Sequence, residues 1–201
     1  HGTLPYDRMP DLWARVQDSN ASRTTRLAIL KAMVTAHRIS VVVMAEWKHI
    51  DLQTGIWTVP ERTTKEEKGR MKSGRAYSLR LPEGLLSHLK DLQKQNTQSR
   101  FVFESPTTAG HVTPNAILKV LKRYNPNLTS HGFRNAIKEF CRKTEPPVPD
   151  HIADAFCDHA LAGLDASYRR MDTSAERAEL AERLYAFITV GHDKPVAGSV
   201  Q

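Results

Sequence analysis

Six polar residues, in chain order Arg38, Lys72, His131, Arg134, His159 and Tyr168, are of the types needed to move a phosphoryl group. A phosphodiester is an anion, and negative charge grows on its oxygens in the pentavalent transition state. Guanidinium groups meet that charge well, because each can donate two parallel hydrogen bonds. A phenol has an ordinary pKa of about 10, so it needs a nearby base or cation to become a nucleophile. The departing 5′-oxygen needs a proton, which a lysine or a histidine can supply. Two arginines, two histidines, one lysine and one tyrosine meet these demands without a metal. Taken singly, each has a plainer reading: Arg38 as a surface arginine, His131 as a helix cap, Tyr168 as a half-buried core tyrosine. Only the ordered set sets these plainer readings aside.

These residues must be carried by recognisable elements. Leu12, Trp13 and Val16 mark a helix from about Pro10. Residues 24 to 36 read as a second helix with an apolar stripe through Leu27, Leu30 and Val34 and a basic face that includes Lys31. Thr35-Ala36-His37-Arg38 reads as a tight join into a short buried helix. The period then changes to that of strands at Ile50-Asp51-Leu52, Ile56 to Val59 and Tyr77 to Leu81, with a hairpin turn at Gln53-Thr54-Gly55. Between the last two strands, residues 60 to 76 form a basic loop in which Lys72 sits. The rest is helical: from Pro82 to about Gln95, from Thr113-Pro114 to about Tyr124, from a Thr129 or Ser130 cap to Lys143, and over 150 to 158 and 174 to 189. His131 and Arg134 are three apart and share a helix face. Trp13, Trp47 and Trp57 fall in apolar patterns and are expected in the core. The fold class expected is α+β, mainly α-helical with a small three-stranded antiparallel sheet.

Composition narrows the partners. The chain has 201 residues, 40% of them hydrophobic, and a formal net charge of +7. That balance favours a polyanion, whose condensed counterions are released on binding. Arg62, Lys68, Arg70 and Arg75 in the basic loop are the candidate DNA-backbone contacts. Only two cysteines occur, Cys141 and Cys157, so a disulfide framework is not indicated. No apolar run approaches the ~20 residues that span a bilayer, and a cytoplasmic location without membrane partners is expected. His151, Cys157, Asp158 and His159 are ligand types close in sequence, but they lack paired zinc-ligand spacing. No metal or other cofactor is expected.

From about Leu4 to Phe187 the sequence resembles the catalytic domain of the tyrosine recombinases, the phage-type integrases. The carrying motifs are Thr35-Ala36-His37-Arg38 before a short apolar helix, Trp47-Lys48-His49-Ile50-Asp51-Leu52, and Trp57-Thr58-Val59-Pro60 with the basic hairpin through Met71-Lys72. They continue with His131-Gly132-Phe133-Arg134, His159-Ala160-Leu161 and Tyr168-Arg169-Arg170. The resemblance implies that Arg38 and Arg134 clamp the scissile phosphate and that Lys72 protonates the leaving 5′-hydroxyl. It implies that His131 takes the tyrosine proton or helps hold the phosphate, and that His159 hydrogen-bonds a phosphate oxygen. Tyr168 would form a 3′-phosphotyrosyl bond. The partners implied are double-stranded DNA attachment sites, three further copies of the chain in a homotetramer on DNA, and accessory DNA-bending proteins. A relaxing topoisomerase of the tyrosine type shares this chemistry, but the stretches Trp47 to Leu52 and Trp57 to Pro60 are integrase-like.

One position departs from the pattern. The family usually carries an acid three residues after the first arginine, and here that place holds Val41. Either a neighbour such as Glu46 takes over, which is the preferred reading, or the chain is a DNA-binding relative with weak or lost cleavage. Residues 1 to 201 are expected to be one catalytic domain of a longer protein whose N-terminal DNA-binding domains lie outside it. Residues 174 to 201 are expected to be a C-terminal helix and tail. The apolar stretch Leu184 to Ile188 is expected either to dock on a neighbouring subunit or to pack on its own domain.

Overall fold

The computed structural model describes residues 4–95, 98–106, 109–158 and 172–191, with the backbone alone for Ser130 and His131. Its elements run α1 (Met9–Gln17), α2 (Arg23–Thr35), α3 (Ile39–Val43), β1 (Ile50–Asp51), β2 (Ile56–Val59), β3 (Tyr77–Arg80), α4 (Glu83–Gln95), α5 (Pro114–Tyr124), α6 (Ser130–Lys143), α7 (Asp150–Phe156) and α8 (Ser174–Thr189).

Helix α2 is the axis of the fold. It starts where the Ser22 hydroxyl accepts a hydrogen bond from the Thr25 amide at 3.2 Å. It packs against α1, α3, α4, α5, α6 and α8, so every residue from Thr25 to Thr35 is buried. The expected basic face is therefore absent: Lys31 is 0% exposed. The reason is tertiary. Helical periodicity reports one apolar stripe, whereas neighbours here cover the remaining faces as well. The helix ends at Ala36, whose left-handed φ of 57° breaks the hydrogen-bond ladder and turns the chain into α3.

The sheet has the order β1-β2-β3 with antiparallel neighbours. Its first turn is closed by the Asp51 carboxylate, which accepts from the Gln53 amide at 2.8 Å and the Thr54 amide at 3.2 Å. Gly55 supplies the positive φ of 74° that completes it. In β2–β3 the register pairs Trp57 with Leu79 and Val59 with Tyr77. Trp57, Val59 and Leu79 thus share the inner face and are buried, while Ile56 points out at 41% exposure. Trp13 and Trp57 are core residues as expected, and Trp47 is half-buried against the same core.

Helices α5 to α8 close the other side. Thr113 caps α5, its hydroxyl accepting from the Ala116 amide at 3.2 Å, with Pro114 in the first turn. Thr129 stands at the N-cap position of α6 but makes no side-chain cap bond. Helix α8 buries Leu180, Ala181, Leu184 and Ile188 against β3, α1, α2, α4 and α7. The apolar stretch Leu184 to Ile188 is thus packed on its own domain. Residues 192–201 lie outside the described part. Among the described residues, no helix is long and apolar enough to cross a membrane.

Candidate active site

Arg38 and Arg134 reach one site from two elements. Arg38 is the N-cap residue of α3, with extended backbone, and its carbonyl accepts from the amides of Val41 at 2.9 Å and Val42 at 3.1 Å. Arg134 lies one turn into α6, only 5% exposed. Its Nε donates to the Ala36 carbonyl at 2.8 Å. The left-handed turn that ends α2 therefore does two things: it aims Arg38 out of the core and presents a carbonyl that fixes the plane of the Arg134 guanidinium.

The electrostatics fit that placement. Burial lowers the Arg134 pKa, and the Arg38 charge lowers it further; Cys157, Asp158 and Tyr77 push the other way. Each arginine thus lies in the other's field. Among the described residues, neither is in an ion pair with a carboxylate. Two guanidinium groups in each other's field, neither of them ion-paired among the described residues, are arranged to take an anion from outside.

Lys72 is delivered differently. It is exposed in a turn from Met71 to Gly74, closed by the Gly74 amide donating to the Met71 carbonyl at 3.1 Å. Met71 is buried and roots the turn, and the Arg62 amide donates to the Gly74 carbonyl at 2.8 Å. A second attachment comes from the end of α7: the Ser73 amide donates to Asp158 Oδ2 at 3.2 Å. Asp158 follows Cys157, the C-cap of α7, and has a positive φ of 52°.

The other candidates are placed unequally. His131 stands in the first turn of α6, three residues before Arg134, and its side chain lies outside the described part. His159 and Tyr168 also lie outside the described residues. In the basic loop Arg62, Lys68 and Arg75 are exposed. Arg70 differs: its guanidinium is committed to Glu67 at 2.5 Å, and Glu67 also accepts from the Thr63 amide at 2.9 Å. Arg70 thus braces the loop.

Among the described residues, Glu46 makes no ion pair with Arg38. Its carboxylate pairs with Lys48 at 3.0 Å, and its backbone bridges to Phe101. Val41 itself is 2% exposed and part of the core.

Two buried bases behind the site escaped the sequence reading. His37 Nδ1 donates to the Thr35 carbonyl at 2.6 Å, and its ring packs on Trp57 and Tyr77 at centroid distances of 4.9 and 4.8 Å. Lys31 Nζ lies over the Trp57 ring, 2.6 Å from its centroid. Among the described residues, neither Lys31 Nζ nor His37 Nε2 has a hydrogen-bond partner. Burial lowers both pKa values well below their ordinary positions.

The fold is that of the tyrosine recombinase catalytic domain. It matches the integrase from mycobacterium phage Brujita with a TM-score of 0.58 at 17% identity, covering 100% of this chain and 61% of that one. The model of the phage integrase family matches residues 3–153. The chain belongs to the phage integrase family. That match takes in Arg38, Lys72, His131 and Arg134 and ends before His159 and Tyr168. No curated protein matches the sequence.

Proposed function

We propose that this chain is the catalytic domain of a site-specific DNA recombinase that integrates or excises a mobile element. The observation that carries the reading is the pair Arg38 and Arg134, each in the other's field and without a carboxylate partner among the described residues. A scissile phosphate is the anion that fits between them.

In this reading the Tyr168 phenol oxygen attacks the phosphorus, the bond to the 5′-oxygen breaks, and a 3′-phosphotyrosyl bond forms. The phenol proton passes to His131, and Lys72 gives a proton to the departing 5′-oxygen. His159 holds a phosphate oxygen. A 5′-hydroxyl from a second duplex reverses each step and reseals the strand, so bond energy is conserved in the protein–DNA link and no cofactor is consumed. In the intact protein, four subunits on two attachment sites would complete both strand exchanges, with accessory DNA-bending proteins as further partners. Arg62, Lys68 and Arg75 track the DNA backbone beside Lys72.

A nicked suicide duplex carrying the attachment site, followed by a denaturing gel, tests this. The expected result is a covalent protein–DNA adduct that Tyr168→Phe abolishes while salt-sensitive DNA binding is kept. Binding with no adduct from the unaltered chain would instead support a non-cleaving relative, the reading that the apolar Val41 favours.

A further inference from the structure

We propose that Asp158 is a positioning residue: its carboxylate tethers the turn that bears Lys72 to the end of α7, beside Arg134. The inference rests on the recombinase reading for its chemistry, and on geometry for its structure. Asp158 Oδ2 accepts from the Ser73 amide at 3.2 Å, across 85 residues of sequence. Ser73 directly follows Lys72, so the carboxylate grips the peptide next to the proposed acid. On its other side Asp158 lies in the field of Arg134.

Asp158 has a left-handed φ of 52°, a conformation that aspartate tolerates better than most side-chain-bearing residues. A carboxylate just past a helix C-terminus, however, faces the negative end of the helix dipole. An unfavourable charge placement beside a site points to a role that outweighs it. Here the role is visible. The left-handed turn swings the carboxylate out of the helix line and toward the hairpin. The acid that the family keeps after its first arginine is absent at Val41, and Glu46 is occupied by Lys48. Asp158 brings a carboxylate to the arginine side of the site from a different element.

Asp158 does not touch the reacting atoms in this account; it acts through Lys72. The discriminating probe is therefore a nicked duplex whose scissile 5′-oxygen is replaced by sulfur. A thiolate leaves without being protonated, so this substrate does not need Lys72. Asp158→Gly relieves the backbone and removes the acceptor, and is expected to fold. It should slow cleavage of the ordinary duplex by about 10²-fold, the loss typical of a displaced catalytic group, and leave cleavage of the sulfur duplex within about 3-fold of the parent. Asp158→Asn keeps an acceptor oxygen and should recover most of the ordinary rate. Equal losses on both duplexes, or no loss on either, would overturn the proposal.

A second measurement needs no DNA. Hydrogen exchange of the Ser73 amide should be faster by at least about 10-fold in Asp158→Gly than in the parent, with Asp158→Asn between them; unchanged exchange overturns the tether. If the unaltered chain cleaves neither duplex, the recombinase reading fails, and the exchange result still decides the tether.

Discussion

Arg134 and Lys72 are two cations proposed to act on one phosphate, and the fold holds them in opposite ways. Arg134 is almost wholly buried, on a long helix, with Nε locked on the Ala36 carbonyl. Lys72 is exposed in a turn, rooted by a buried Met71 and one bond from Ser73 to Asp158. The difference matches the proposed tasks. A charge that must meet an oxyanion works best when it is set in place beforehand, because no reorganisation is then needed during reaction. A proton donor, the role proposed for Lys72, is needed at one moment and at one atom, and it can be delivered from an exposed turn.

This contrast predicts that the two cations will fail differently. Arg134→Ala should lower the rate of adduct formation by about 10²-fold or more. It should also destabilise the fold by about 1–3 kcal/mol, since the buried Ala36 carbonyl loses its donor. Lys72→Ala should cost about 10²-fold in rate, the range of a lost general acid, with stability unchanged within about 0.5 kcal/mol. Suicide-substrate cleavage read beside urea unfolding checks both. Equal stability losses in the two variants would remove the contrast.

Behind the arginines, Lys31 and His37 form a third arrangement, cations by type but buried and, among the described residues, in no ion pair. Their folded pKa values are lowered, from 10.5 for Lys31 and 6.5 for His37, first by burial. The sign follows directly. Below these ordinary values the unfolded chain binds protons that the folded chain resists, so stability falls as pH falls and rises with pH. For Lys31 the loss begins as pH drops through 10.5, and for His37 it begins below 6.5. The slope is at most about 1.4 kcal/mol per pH unit for each proton. Lys31→Met, similar in length and apolar, should raise stability at neutral pH by about 2 kcal/mol and flatten the curve on its alkaline side. Urea unfolding from pH 6 to 10 measures this. A destabilised Lys31→Met with an unchanged slope would show that the amine on Trp57 contributes a net attraction.

What the sequence made legible follows the same division. Elements with local signals were readable: Thr113-Pro114 at the start of α5, the join before α3, and the alternation that seats Trp57 and Val59 inward. The two arginines could be singled out because their motifs are local, and the fold puts them in each other's field. Lys31 was not, since lysine is seldom buried and one sequence does not show that six helices surround α2. The missing acid was sought at Glu46 because it is near in sequence, whereas a carboxylate in the field of Arg134 stands at Asp158, just past the end of α7. A bond that joins Ser73 to Asp158 leaves no periodic trace. Arg70 counted as a DNA contact by charge alone, and its pairing with Glu67 depends on how the loop folds back.

The smallest predicted effect concerns the hinge on which the arginines turn. Ala36 adopts φ 57° and ψ 12°, a region that costs a side-chain-bearing residue roughly 1–2 kcal/mol. Ala36→Gly removes that strain and loosens the unfolded chain, effects that oppose each other. Where φ is positive the strain outweighs the entropy, so a gain of about 0.5 kcal/mol is expected. The carbonyl that receives Arg134 Nε belongs to the backbone and is kept. If holding Arg134 is the whole role of this turn, the cleavage rate should stay within about 2-fold of the parent. A variant that is more stable yet slower by 10-fold would show that the stiffness of Ala36, as well as its carbonyl, aims Arg38. The rigid arm of the site would then begin one residue before the first arginine, in the turn itself.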